Sequence, residues 1–113
     1  MKLPAGFEMG TVKFFGLRKD VFGGLYGFLA LPDGDEIFFH GDAMGTFIGM
    51  ELVENSACFN EPSRYPKTGD KIVFHTIYDR WKPWKRPKAD PWAFADDLEK
   101  AMEEMESRRL AAI

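Results

Sequence analysis

Hydrophobic and polar positions alternate along three runs near the start of the chain. These are Gly10-Thr11-Val12-Lys13-Phe14-Phe15, Leu25-Tyr26-Gly27-Phe28-Leu29-Ala30-Leu31 and Glu36-Ile37-Phe38-Phe39-His40. In extended backbone successive side chains point to opposite faces. Tyr26 and Phe28 then share one face, with Leu25, Gly27 and Leu29 on the other. Phe38 likewise pairs with His40, while Ile37 and Phe39 turn inward with Val12. Pro32-Asp33-Gly34-Asp35 is a tight-turn signal that folds the second run against the third. With the three runs as neighbouring antiparallel strands, one sheet face becomes a row of aromatic rings, the surface on which unpaired bases stack.

Downstream the pattern predicts a further strand and a helix. Lys67-Thr68-Gly69-Asp70 is a turn, and residues 71 to 78 alternate as a strand. A fifth strand over about residues 87 to 94 is implied only by the family that these runs resemble. From about Ala95 the period lengthens: Leu98, Met102 and Met105 recur three to four apart, with Ala95, Ala101 and Leu110 extending the stripe. Asp96 and Asp97 near the start and Arg108 and Arg109 near the end suit the helix dipole. A competing start places Asp90 as N-cap with Pro91 in the first turn, which abolishes the fifth strand. The later start is preferred because five strands are needed to close a barrel.

Between these elements lie less regular segments. Residues 1 to 8 read as an irregular lead. Residues 16 to 24 form a loop with Arg18, Lys19 and Phe22 that either stays slack or wraps a ligand. Residues 41 to 67 hold Met44, Phe47, Ile48, Met50, Leu52, Val53 and Phe59. That is too apolar for disorder, and predicts a segment folded back over the barrel as a cover or as a contacting element, with residues 47 to 53 able to add an edge ribbon.

Size and composition narrow the class. A chain of 113 residues with 45% hydrophobic and 29% charged residues is one soluble globular unit. No apolar run approaches the length of a membrane span and Met1-Lys2-Leu3-Pro4 opens no signal sequence, so a cytoplasmic protein without membrane contact is expected. Cys58 is the single cysteine and has no partner for an internal disulfide or a paired-cysteine zinc site. With His40 and His75 the only histidines, no metal, cofactor or Cys-His dyad is expected, and carboxylates in turns or on the helix give no reason to read an enzyme.

The net charge of −3 at first argues against a polyanion ligand, but its distribution does not. Residues 1 to 88 carry 12 basic and 11 acidic side chains, whereas residues 89 to 113 carry 3 and 7. The acidity therefore belongs to the tail. Arg80, Lys82, Lys85, Arg86 and Lys88 place five positive charges within nine residues, and local potential steers a polyanion. Trp81 and Trp84 lie between these cations, combining stacking with phosphate contact.

The same runs resemble a cold-shock domain, the small oligonucleotide/oligosaccharide-binding (OB) barrel. Gly10, Val12, Lys13, Phe14 and Phe15 match the family's G-x-V-K-W-F, with Phe for Trp. Tyr26-Gly27-Phe28-Leu29 matches the end of K-G-F-G-F-I, and Ile37-Phe38-Phe39-His40 the start of V-F-V-H-F. Gly69, Val73 and Phe74 resemble G-x-x-V-x-F, and Lys85, Pro87 and Ala89 resemble the ending K-G-P-x-A. Gly24, Leu25, Gly41 and Arg86 depart from these motifs, at the cost of one basic contact and one stacking ring.

The resemblance implies an all-β fold, a five-stranded antiparallel OB-type Greek-key barrel over residues 1–94 with an insertion at about 41–67, to which the periodicity adds a C-terminal amphipathic α-helix over residues 95–113. It further implies binding of single-stranded RNA, with DNA as a second ligand. The expected contacts are Lys13, Phe14, Tyr26, Phe28, Phe38, His40, Arg80, Trp81, Lys82, Trp84, Lys85 and Arg86. The alternative is an OB-type interaction module in a ribonucleoprotein assembly, forming a homodimer or docking a protein partner through the C-terminal helix.

Overall fold

A computed structural model describes residues 3–18, 25–55, 65–77 and 87–111 of the chain. Its elements in chain order are β1 (Glu8–Arg18), β2 (Leu25–Ala30), β3 (Glu36–His40), β4 (Gly45–Ile48), β5 (Glu51–Glu54), β6 (Lys71–Ile77), β7 (Lys88–Phe94) and α1 (Ala95–Ala111). Strand β7 occupies the span where the fifth barrel strand was expected. Because Asp90 and Pro91 lie inside β7 and α1 begins only at Ala95, the earlier helix start is ruled out.

Five of the strands close a barrel in the order β1-β2-β3-β7-β6. The barrel is not wholly antiparallel: β3 and β7 run parallel, with Phe38 opposite Lys88 and Phe39 opposite Ala89. Parity dictates this. Strand directions that alternate around a ring return to their start only for an even number of strands, so a ring of five must hold a parallel pair. The expectation of an antiparallel barrel is corrected at that seam.

Alternation fills the interior. Val12, Leu29, Ile37, Phe39, Ile72, Phe74, Ala89, Trp92 and Phe94 form one buried cluster with Ala43 and Met44. Phe15 packs against it, stacked on Phe39 with ring centroids 5.1 Å apart. Pro91, which has no N–H to give, sits where the β6–β7 register shifts between Phe74 and Thr76.

The segment after β3 folds as a 3-10 turn (Gly41–Ala43) and the hairpin β4–β5. Phe47, Met50 and Leu52 of this hairpin join Val73, Ala93, Ala95, Leu98 and Met102 in a second cluster on the outside of β6 and β7. Those two strands are therefore buried on both faces, and the hairpin and helix cover their outer wall.

Only the first part of α1 takes part in that cover. Ala95, Leu98 and Ala101 are buried and Met102 is half-buried, while Met105 is 43% and Leu110 59% exposed. The expected stripe is thus half partnered. A helix of 17 residues is about 25 Å long, and it outruns the wall on which it starts.

Candidate nucleic-acid interface

Two irregularities in β1 set the geometry of the face presented by β1, β2 and β3. Register shifts fall between Val12 and Phe14 and between Phe15 and Leu17, so Lys13 and Gly16 are extra residues opposite β2. A bulge places consecutive side chains on one side of the sheet and coils the strand. Lys13 and Phe14 consequently both point outward, with Val12 and Phe15 turned to the interior. Gly16 takes a φ of 119°, a conformation glycine adopts without strain. Hydrogen bonds to the 67–70 turn hold the first bulge: Val12 N–H donates to Asp70 O at 2.9 Å, and the Thr68 hydroxyl donates to Lys13 O at 3.0 Å.

Pairing then lays the rings out in rungs. Phe14 lies opposite Phe28, and Phe28 opposite Phe38, so three phenylalanines cross three strands in one row. Their centroids are 5.4 Å apart for Phe14 and Phe28 and 5.9 Å for Phe28 and Phe38, both edge-to-face. Lys88 continues the row on β7. In the next row Tyr26 lies opposite His40, with Tyr26 5.2 Å from Phe38 and His40 6.4 Å from it. Phe14 is 40% exposed, and Tyr26, Phe28, Phe38 and His40 are half-buried by one another. The hairpin and α1 pack on the β6–β7 wall and leave this face open.

His40 is held at both ends. The Trp92 indole N–H donates to its carbonyl at 2.7 Å, and the Asp42 N–H donates to its Nδ1 at 3.0 Å. A ring nitrogen that accepts has no proton of its own, so the neutral imidazole carries its proton on Nε2.

Charged groups rim the rings. Lys13 pairs with Glu36, and Lys88 Nζ lies 4.0 Å from Asp90 Oδ2. Asp90 Oδ1 is sealed from solvent and has no hydrogen-bond partner among the described residues. The Glu54 pKa is pushed above the usual glutamate range, first by its hydrogen bond to Asp90 and then by the Asp90 charge, because two carboxylates bond only when one keeps a proton. Lys88 offsets part of that rise. Among the described residues no group of His, Cys, Asp and Glu is arranged to hold a metal, and no helix is long and apolar enough to cross a membrane.

Six of the expected site residues, Lys13, Phe14, Tyr26, Phe28, Phe38 and His40, come together on this one face. Arg80, Trp81, Lys82, Trp84, Lys85 and Arg86 lie outside the described residues. Glu36 and Asp42 join the site without having been singled out for it, and Lys88, read as part of the basic cluster but not among the expected contacts, joins it opposite Phe38. A signal for the bulge was present: Val12 in the core and Phe14 on the ring face stand two residues apart, and regular alternation cannot put such a pair on opposite sides. Compared with known proteins, the chain matches no family model and no curated protein.

Proposed function

We propose that this protein binds single-stranded nucleic acid, RNA in preference and DNA as a second ligand, by stacking unpaired bases on Phe14, Tyr26, Phe28, Phe38 and His40. In this reading the barrel is of the OB type, resembling a cold-shock domain, and Arg80, Trp81, Lys82, Trp84, Lys85 and Arg86 supply further stacking and phosphate contacts. The supporting observation is the row Phe14, Phe28, Phe38, left partly exposed by the hairpin and α1, in which edge-to-face rings are flanked by Tyr26 and His40. Contiguous exposed apolar surface on a small protein calls for a ligand. Stacking on each ring is worth about 1–3 kcal/mol. The test is titration of a labelled single-stranded oligonucleotide at two salt concentrations against the parent and a Phe28→Ala, Phe38→Ala variant. Salt-sensitive binding with quenched Trp fluorescence, lost in a variant that stays folded, supports the reading. Equal binding by the variant refutes it.

A second reading, a protein-interaction module, is favoured by Met105 and Leu110, apolar side chains that the far half of α1 leaves exposed. No oligonucleotide binding, together with a dimer in light scattering, would support this module over the first reading.

A further inference from the structure

Beside the phenylalanine row runs a rung of different chemistry. Lys71 on β6, Thr11 on β1, Ala30 on β2 and Glu36 on β3 lie opposite one another in that order. Lys71 Nζ donates to Thr11 Oγ1 at 2.7 Å. Lys13, the bulge residue, reaches over β2 to Glu36. The methyl group of Ala30 is small enough to leave that path open. Two ammonium groups and a hydroxyl therefore gather at the edge of the ring face, with one carboxylate among them.

Resting on the stacking function proposed above, we infer that this rung is a phosphodiester subsite in which Glu36 is a resident competitor. In the free protein Glu36 occupies Lys13, and a strand whose bases lie on Phe14, Phe28 and Phe38 brings a phosphate to Lys13 and Lys71 and displaces it. The exchange is feasible because the Lys13 and Glu36 side chains are 48% and 42% exposed. Ion pairs so exposed are weakly held and screened by salt. A phosphate also releases condensed counterions, which the carboxylate does not. The bulge makes the competition local: without the extra residue Lys13 would follow strict alternation and Phe14 would turn away from the rings.

The test is titration of a labelled single-stranded oligonucleotide across a salt series with the full chain and the variants Glu36→Gln, Lys13→Gln, Lys71→Gln and the double Lys13→Gln, Glu36→Gln. Glu36→Gln is expected to bind about two- to five-fold more tightly at low salt, with the gain shrinking as salt rises. The double variant is expected to bind like Lys13→Gln alone. Lys71→Gln is expected to bind more weakly, with a log-log salt slope shallower by about 0.7. The subsite is overturned if Glu36→Gln binds like the parent, if its gain persists without Lys13, or if Lys71→Gln leaves the slope unchanged. Loss of binding in Phe28→Ala, Phe38→Ala beside a neutral Glu36→Gln removes the subsite and keeps the stacking function. Absence of binding by every variant removes both.

Discussion

Gly27 and Phe14 approach so closely that a β-carbon on Gly27 would stand 2.1 Å from the Phe14 carbonyl oxygen, and 2.8 Å from the Phe15 Cα. This contact arises where β1 coils between its two bulges, and it brings Phe14 onto the ring face while Phe15 reaches Phe39. Gly27→Ala must push the backbones of β1 and β2 apart, since no flexible side chain can yield. A loss of about 1–3 kcal/mol or more is expected in urea denaturation. Stability equal to the parent would show that the approach is relaxed.

Trp92 ties the interior to the ring face through its hydrogen bond to His40 O. Trp92→Phe keeps an aromatic ring but strands that carbonyl and leaves a void where the indole was fully buried. The hydrogen bond alone accounts for a loss of about 1–3 kcal/mol. Oligonucleotide affinity should fall with it, because His40 loses one of its anchors. A stable variant with unchanged affinity would remove the tie from the argument.

The helix divides into a packed part and an exposed part. Leu98 is fully buried between the hairpin and the outer wall of β6 and β7. Leu98→Ala is expected to cost about 2–5 kcal/mol. Deleting residues 106 to 113 should change stability by no more than about 0.5 kcal/mol, as surface changes generally do. If the truncation costs as much as Leu98→Ala, the far half has a partner in solution, which size-exclusion with light scattering would identify as a second copy.

Glu54 gives the fold a pH dependence of known sign. Its pKa is raised by Asp90, so the folded chain holds the Glu54 proton more tightly than the unfolded chain does. The stability this contributes is present at acidic pH and is lost as pH rises from the ordinary glutamate range through the raised value. Glu54→Gln keeps a donor towards Asp90 without a charge. It should be more stable than the parent at neutral pH, by less than about 1 kcal/mol because the group is largely exposed, with the gap closing as pH falls. A variant less stable at neutral pH would contradict the assignment.

Much of the wall structure could be read from local pattern. Period-two runs marked β1, β2, β3 and β6, and turn residues marked the 32–35 and 67–70 turns. The change of period near Ala95 marked the helix start. These features depend on backbone geometry and on which side chains avoid water, and both are local properties of a sequence. The inward set Leu29, Ile37 and Phe39 and the outward set Tyr26, Phe28, Phe38 and His40 followed for the same reason.

The rest depended on segments far apart in the chain. The bulges at Lys13 and Gly16 exist because β1 pairs with β2 along most of its length and with β6 near its start, and a straight strand cannot follow both. The parallel seam comes from closing an odd ring, a condition on all five strands together. The hairpin β4–β5 and Leu98 meet only because β6 and β7 build the wall on which both pack. The pair Lys13 and Glu36 spans 23 positions and forms because Ala30 lies between them on the intervening strand. Along β2 and β3 alternation thus separated, from sequence alone, the residues turned to the core from those turned to the ring face, whereas in β1 the bulges decided it. Only strand pairing, which sets distances between residues remote in the chain, decided which of the outward residues touch.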